Sequence, residues 1–287
     1  MKRNLYFLFA CLCLTTLGNL KAQEKSKKTS LEDALEGFTF RSIGPAFMSG
    51  RIADIAIDSS NENTWYVAVG SGGLWKTSNA GTTWTPLTDN ESFYSTGCVT
   101  IDPTNSQKIW LGTGENVGGR HVGIGHGIFV SSDGGASWIN SGLKESEHIS
   151  KIIVHPSDPN TLWVAVQGPL WSAGGERGLY KTTDGGKTWA NKLEINQWTG
   201  VTDLVIDPTN PNVLYAASWQ RHRNVAAYMG GGPGSSLYKT TDGGENWFEI
   251  DNGLPDSKMG KIGLAISPMQ PNVLYAAIEL ELRKGAV

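Results

Sequence analysis

An eight-residue motif, Thr/Ser-x-Asp/Asn-x-Gly-x-x-Trp, occurs four times in this chain and constrains its fold more than any other feature. The copies end at Trp84, Trp138, Trp189 and Trp247. Their Asn or Asp residues stand at positions 79, 133, 184 and 242, so the spacings are 54, 51 and 58 residues. A period near fifty residues is typical of proteins that repeat one supersecondary unit side by side. The sequence therefore predicts a chain built from copies of a single unit.

Short apolar segments accompany each motif and indicate β-strands. One recurring segment is three apolar residues followed by a polar residue, as in Ile55-Ala-Ile-Asp58 and Leu204-Val-Ile-Asp207. Such β-branched runs bounded by turn residues are typical of short buried strands. Counting the strand that the motif's Trp opens, each unit has four strands, and no helical period is present. The prediction is an all-β propeller with four four-stranded blades and part of a fifth.

The motif's residue types suit the tip of a hairpin. An Asp or Asn side chain accepts hydrogen bonds from backbone N–H groups a few residues on. Glycine takes the positive φ that a tight turn requires, and the Trp ring can bury a large apolar area between sheets. Asp133, Asp184 and Asp242 are therefore interpreted as turn residues rather than catalytic acids.

The motif resembles the Asp-box, or BNR repeat, of bacterial sialidases, xyloglucanases and the sortilin ectodomain, and the resemblance covers residues 38–280. It implies a propeller but not one activity, because the same repeat occurs in enzymes and in non-enzymes. Xyloglucanase-like propellers place a catalytic Asp just before the Gly-Gly that opens the third strand of the first blade, where this chain has Gly70. A hydrolase of this type would need its two acids elsewhere, beyond Val287 or among Glu115, Asp54 and Asp203.

The two ends of the chain predict export and a longer protein. Residues 1–22 resemble a signal peptide, with Lys2 and Arg3 before an apolar run that is too short to span a membrane. Residues 23–37 are expected to be a linker, and residues 38–287 the propeller segment. We expect a secreted or periplasmic protein with no transmembrane segment after cleavage. Because the fifth unit stops after two strands, we also expect this chain to be the front part of a longer one.

Charge and cysteine content narrow the partners. The formal net charge of −3 argues against nucleic acid and against an anionic membrane. Cys98 is the one cysteine outside the expected signal peptide, and its apolar strand predicts a buried side chain. His121 and His126 are poorly spaced for a closed zinc site. No metal and no cofactor is predicted.

The loops joining second to third strands are unequal, and together with the connections between successive blades they form the predicted binding surface. Trp171, Trp198 and Trp219 have no counterpart in the repeat and are all expected in such loops. Beside Arg, Glu and His, they suit stacking on a sugar or gripping a peptide. The alternative is that they fill gaps between loops of unequal length. The predicted binding residues are Glu115, Arg120, His121, Trp171, Glu176, Arg177, Trp198, Trp219, Arg221, His222 and Arg223.

Two functions remain open from the sequence. The first is a sortilin-like interaction module that binds a peptide, protein or glycan on the loops. Five arginines could form a carboxylate-binding cluster, since guanidinium pairs bidentately with carboxylate: Arg51, Arg120, Arg177, Arg221 and Arg223. The alternative is a xyloglucanase-like glycoside hydrolase that acts on polysaccharide.

Overall fold

The computed structural model describes residues 50–281. The expected signal peptide, the expected linker and the first residues of the expected propeller lie outside this range. Residues 50–281 form twenty β-strands and no helix, so no helix capable of crossing a membrane occurs in them. Within the same range, no three His, Cys, Asp or Glu side chains are grouped so that they could hold a metal ion.

Four antiparallel sheets of four strands follow one another along the chain, and a two-stranded sheet ends the described range. We call these sheets blades 1 to 5. Blade 1 contains β1 (Ile52–Ile57), β2 (Trp65–Val69), β3 (Gly73–Thr77) and β4 (Thr85–Pro86); blade 2 contains β5 (Thr96–Asp102), β6 (Asn105–Thr113), β7 (Ile128–Ser131) and β8 (Ile139–Asn140); blade 3 contains β9 (Ile149–His155), β10 (Asp158–Val166), β11 (Gly178–Thr182) and β12 (Ala190–Leu193). Blade 4 contains β13 (Thr199–Asp207), β14 (Asn210–Gln220), β17 (Leu237–Thr240) and β18 (Phe248–Ile250), with the hairpin β15 (His222–Arg223) and β16 (Tyr228–Met229) between β14 and β17; blade 5 contains β19 (Met259–Ser267) and β20 (Gln270–Leu280). This order confirms the predicted all-β propeller architecture.

The four motif copies form the turns between third and fourth strands. In blade 3, the hydroxyl of Thr182 donates to Asp184 Oδ1 at 2.7 Å, and the backbone N–H of Thr188 donates to the same oxygen at 3.0 Å. Gly186 has a φ of 84°, which a residue with a Cβ adopts at a cost. Asn79 makes the equivalent bonds in blade 1. The polar oxygens of the motif are therefore used by the turn itself, as predicted.

The apolar core lies at the junctions between successive blades, in four separate clusters. Each cluster combines side chains from two neighbouring sheets, and the motif tryptophans Trp138, Trp189 and Trp247 pack at the edges of three of them. Cys98 is 1% exposed in this core, and burial raises the pKa of its thiol. Buried aliphatic side chains at every junction, joined by Trp110 and Trp163 in two of them, supply the hydrophobic stabilisation of the repeat.

Polar side chains on the first strands connect each blade to the next. Asp54 Oδ2 accepts the backbone N–H of Val99 at 3.2 Å, and Asp203 Oδ2 accepts that of Leu264 at 2.7 Å. The Thr100 hydroxyl makes such a hydrogen bond from blade 2 to blade 3, and the Ser150 hydroxyl makes one from blade 3 to blade 4. Every junction between described blades therefore has a side chain-to-backbone hydrogen bond beside the inner strands.

Candidate functional site

The loops between second and third strands lie at the end of the blades opposite the Asp-box turns, together with the connections from one blade to the next. We call this surface the loop face. Its second-to-third-strand loops are residues 70–72, 114–127, 167–177 and 221–236, and its blade connections are residues 87–95, 141–148, 194–198 and 251–258.

Glu115 of the blade 2 loop is buried in an ion pair. Its side chain is 3% exposed, and its Oε1 accepts hydrogen bonds from Arg51 Nε at 2.7 Å and Arg51 Nη2 at 2.5 Å. Its Oε2 accepts the backbone N–H of Gly123 at 2.9 Å. A Cβ added to Gly70 would come within 2.2 Å of Oε1. The Glu115 carboxylate thus lies against the position where the xyloglucanase resemblance places an acid, and it joins blade 1 to blade 2.

The other two carboxylates considered for hydrolysis also have structural partners. Asp54 and Asp203 each accept a backbone N–H from the next blade, as described above. Asp54 is in addition 3.9 Å from the ammonium group of Lys151. All three acids that the sequence offered for glycoside hydrolysis therefore contribute to the contacts between blades.

The blade 2 loop reaches across to blades 4 and 5. Asn116 Nδ2 donates to the backbone carbonyl of Thr202 at 3.0 Å. Lys261 of β19 donates to the carbonyl of Asn116 at 2.7 Å, and Arg221 donates to the carbonyl of Val117. These bonds fix one glycine-rich loop over the inner strands of blades that lie about a hundred residues further along the chain.

Trp219 belongs to this packed interior. It lies near the end of β14, is 3% exposed, and donates from Nε1 to the carbonyl of Gly230 at 2.9 Å. The guanidinium carbon of Arg221 is 5.3 Å from its ring centre, and the ammonium of Lys261 is 5.5 Å away. The expectation that Trp219 lies in a loop with the other unmatched tryptophans is therefore wrong. The strand β14 continues into the segment that the sequence assigns to the blade 4 loop. Trp219 therefore lies within this strand, and its ring is buried beneath the loop.

Arg177 and Arg221 are also buried, at 3% and 0% exposure. Arg177 donates to the carbonyls of Gln167 and Gly174 at 2.9 and 2.7 Å, and Arg221 donates to that of Gly168 at 3.4 Å. Burial lowers the pKa of Arg177 to about 10 and that of Arg221 to about 9, so both are charged at neutral pH. Their donors are used to hold the chain's own loops. They do not form the carboxylate-binding arginine cluster that the sequence suggested.

Glu176 ties the blade 3 loop to the connection before blade 3. Its Oε2 accepts the backbone N–H of Glu145 at 2.8 Å, and burial raises the pKa of its carboxyl group. His148, in the same connection, is fully buried, and burial followed by the charges of Arg221 and Arg177 lowers its pKa to about 2. The imidazole is therefore neutral at neutral pH.

A buried polar group near these residues was not found from the sequence. Both ring nitrogens of His148, both amide atoms of Gln167, the Ser146 hydroxyl and Arg221 Nε have no hydrogen-bond partner among the described residues. Buried polar atoms of this kind are usually bonded to internal water. Of these residues, Arg221 is the one that the sequence singles out; Ser146 and His148 lie in the connection before blade 3, and Gln167 begins the blade 3 loop.

Three of the remaining predicted residues, Trp171, Trp198 and His222, lie on the loop face with Tyr228, and we define these four side chains as the aromatic patch. Trp171 is 42% exposed and Tyr228 is 41% exposed. The rings of Trp198 and His222 lie 4.1 Å apart between centres, and the guanidinium of Arg223 lies 4.4 Å from the Tyr228 ring centre. Tyr228 had no sequence signal beyond its glycine-rich surroundings.

Backbone bonds bring these side chains onto neighbouring segments of the loop face. The N–H of Arg223 donates to the carbonyl of Leu170 at 3.0 Å, next to Trp171 in the chain. The N–H of Gly174 donates to the carbonyl of Gln197 at 2.9 Å, next to Trp198. The loops of blades 3 and 4 and the connection between them therefore present the patch together. Arg120 and His121, on the blade 2 loop, are exposed at its side.

A cavity of about 610 Å³ adjoins the patch on the side of blade 5. Tyr228 and Met229 of the hairpin form one wall, and Lys258, Met259 and Glu279 lie on the other. The cavity is large enough for a small ligand or for part of a chain.

Curated relatives agree with the sequence resemblance. The chain is 28% identical over 218 residues to a probable oligoxyloglucan-reducing end-specific xyloglucanase of Neosartorya fischeri, which covers 70% of this chain and 24% of the relative. It is 23% identical over 242 residues to a xyloglucanase of Hypocrea jecorina, covering 74% of this chain and 27% of the relative. The chain therefore spans about a quarter of the length of the curated relatives it matches.

Solved structures show the same fold at low identity. An ancestral GH74 enzyme superposes with a TM-score of 0.60 at 19% identity, covering 82% of this chain and 30% of that one. The GH74 xyloglucanase from Xanthomonas campestris superposes with a TM-score of 0.56 at 20% identity, covering 77% of this chain and 34% of that one. The Sortilin-Vps10 model, described as sortilin, neurotensin receptor 3, matches residues 126–270, which are 145 of the 287 residues. The Asp-box resemblance is thus confirmed, and the chain belongs to the Sortilin-Vps10 family.

Proposed function

We propose that this chain is part of an exported binding protein that holds a glycan on the aromatic patch of its loop face. The observation that carries the proposal is the exposure of Trp171 and Tyr228 beside the half-buried pair of tilted Trp198 and His222 rings on adjoining segments. Aromatic faces bind the apolar C–H faces of sugar rings, while neighbouring polar groups fix orientation. The signal-like residues 1–22 support export, and relatives named as xyloglucanases support a polysaccharide ligand.

The described carboxylates favour binding over hydrolysis. A glycoside hydrolase needs two acids at a set separation on either side of the scissile bond. Glu115 is engaged with Arg51, and Asp54 and Asp203 accept backbone N–H groups across blade junctions. Protonating or moving any of them during a reaction would break contacts that connect blades.

The test is binding to a panel of polysaccharides that includes xyloglucan, measured by affinity electrophoresis and calorimetry. We expect Trp171→Ala and Trp198→Ala each to weaken binding roughly tenfold, about 1.4 kcal/mol. Trp84→Ala is the matched control, because Trp84 is 39% exposed against 42% for Trp171 but lies at an Asp-box turn, at the opposite end of the blades. Equal losses in all three variants, or no binding to any polysaccharide, would contradict the proposal.

Glycoside hydrolysis is the second candidate, and the similarity to xyloglucanases over 70% of this chain favours it. It predicts release of new reducing ends from xyloglucan by the complete protein. A folded Glu115→Gln variant that binds xyloglucan without turnover would assign the acid to this chain. Turnover that survives Glu115→Gln, Asp54→Asn and Asp203→Asn would show that none of these three residues is the catalytic acid.

A further inference from the structure

Two arginines cross at the junction between the blade 2 loop and the blade 4 hairpin. Arg120 Nη2 donates to the carbonyl of Val225 at 2.9 Å, and Arg223 Nε donates in the opposite direction to the carbonyl of Gly118 at 2.8 Å. Each guanidinium has five N–H donors in a planar fork, so most of the donors remain available. Within residues 50–281, neither group forms an ion pair with a carboxylate.

The crossed pair adjoins the aromatic patch. The Arg223 guanidinium lies over the Tyr228 ring at 4.4 Å, and the preceding residue, His222, packs against Trp198 with tilted rings whose centres are 4.1 Å apart. A sugar ring on this surface would bring its substituents next to planar N–H donors. Guanidinium groups in such positions favour carboxylate and sulfate, which they bind through two parallel hydrogen bonds.

Further positive charge lies inside the loop face. Arg177, Arg221 and Lys261 are buried and, in the described range, donate to backbone carbonyls without an ion-paired carboxylate. The acids that act on them at longer range are Glu147, Asp203 and Glu279. Glu176 in the blade 3 loop and Glu194 in the connection before blade 4 are further acids on this surface, so the positive charge beside the aromatic patch is local to Arg120 and Arg223. The buried cations add positive charge beneath this part of the surface, where charges are weakly screened.

We propose that the glycan bound by this face is acidic, and that Arg120 and Arg223 bind its carboxylate or sulfate groups while the aromatic patch holds its rings. The inference rests on the proposed function and adds the ligand's charge. It predicts that affinity falls with ionic strength, which stacking alone would not require.

Two pairs of polysaccharides with the same backbone test the charge directly. The first pair is polygalacturonate and its methyl ester, and the second is dextran sulfate and dextran. At low salt we expect that, in at least one of the two pairs, the charged polysaccharide binds at least tenfold more tightly than its neutral partner. We expect that preference to fall at least tenfold in Arg120→Gln/Arg223→Gln and to be unchanged in Lys187→Gln, whose exposed side chain lies at an Asp-box turn.

The outcomes distinguish failure of the acidic-ligand inference from failure of the proposed glycan binding. Equal, salt-independent affinity within both pairs, with binding still dependent on Trp171 and Trp198, would overturn the acidic ligand and leave glycan binding intact. Absence of binding to every polysaccharide, with binding to poly-glutamate, would overturn both. A charge preference that persists in a folded double variant would overturn the arginine assignment. If the double variant does not fold, the exposed single variant Arg120→Gln and the salt dependence of the natural chain decide the question.

Discussion

The carboxylate of Glu115 fills the space in which a side chain at Gly70 would stand, with Oε1 only 2.2 Å from the position of a Cβ on Gly70. The two residues belong to the loops of neighbouring blades, and Arg51 binds the same oxygen from blade 1. The absence of a side chain at residue 70 is therefore a requirement of the ion pair that buried Glu115 makes with Arg51, as well as a departure from the xyloglucanase pattern.

Gly70→Ala should destabilise the chain. The new Cβ would force Glu115 away from Arg51, and overpacking of this kind costs about 2 kcal/mol. Chemical denaturation measures the change in unfolding free energy. Gly263→Ala is the control, because its Cβ would meet no atom closer than Asp203 Oδ2 at 4.0 Å. Combining Gly70→Ala with Glu115→Ala should cost less than the sum of the two single changes, since the clash is removed; strict additivity would contradict the contact.

Asp133→Asn should make the chain less sensitive to acid. The hydroxyls of Ser137 and Ser131 and the backbone N–H of Ser137 lower the pKa of Asp133 from 3.8 to about 2. A carboxyl group with a lowered folded pKa contributes stability above its unfolded pKa, and this is lost as the pH falls through the folded value. The melting temperature of the natural chain should therefore fall between these pH values more steeply than that of Asp133→Asn.

Near neutral pH the same variant should be nearly as stable as the natural chain, because Asn79 makes the equivalent bonds in the blade 1 turn. Asp251→Asn, an exposed acid outside the motif, serves as the control. If both substitutions change the acid slope equally, the motif's hydrogen bonds are not its origin.

The parts of the fold that sequence alone could predict are those determined by local contacts. Thr182 and Asp184 are two residues apart, and their hydroxyl–carboxylate bond forms within a single turn, so the motif itself predicts the geometry. Strand positions follow equally from short runs of β-branched residues bounded by turns. The blade order then follows from repetition of one unit.

The loop face depends on partners far apart in the chain. Arg221 reaches the carbonyl of Val117, 104 residues earlier, and Arg177 folds back onto its own loop. Arginines in loops suggest ligand binding when only the sequence is considered. Here the two arginines donate to backbone carbonyls that the unequal loops leave buried inside the protein. The position of Trp219 in a strand is likewise hidden from the sequence, since the length of a loop does not show where its strand ends.

Asp203→Ala should loosen blade 5 specifically. Asp203 Oδ2 accepts the backbone N–H of Leu264 at 2.7 Å, and removal of the acceptor leaves that donor without its partner across the blade junction. We expect a loss of about 2 kcal/mol and faster hydrogen exchange in β19 and β20. Asp54→Ala, which removes the corresponding acceptor for Val99, should raise exchange in β5 instead. Uniform changes throughout the chain in both variants would show that these bonds do not act locally.

Trp219→Ala should mainly lower stability, whereas Trp171→Ala should mainly weaken glycan binding. Trp219 is 3% exposed and bonded to Gly230, so its truncation should lower the unfolding free energy by about 4 kcal/mol, as for other buried aromatic residues. Trp171 is 42% exposed, and its truncation should change stability by less than about 1 kcal/mol while weakening glycan binding. Denaturant unfolding and calorimetry on the same samples separate the two effects. A strongly destabilised Trp171→Ala variant would mean that this ring packs within the loops, which would remove it from the aromatic patch and leave Trp198, His222 and Tyr228 to hold the ligand.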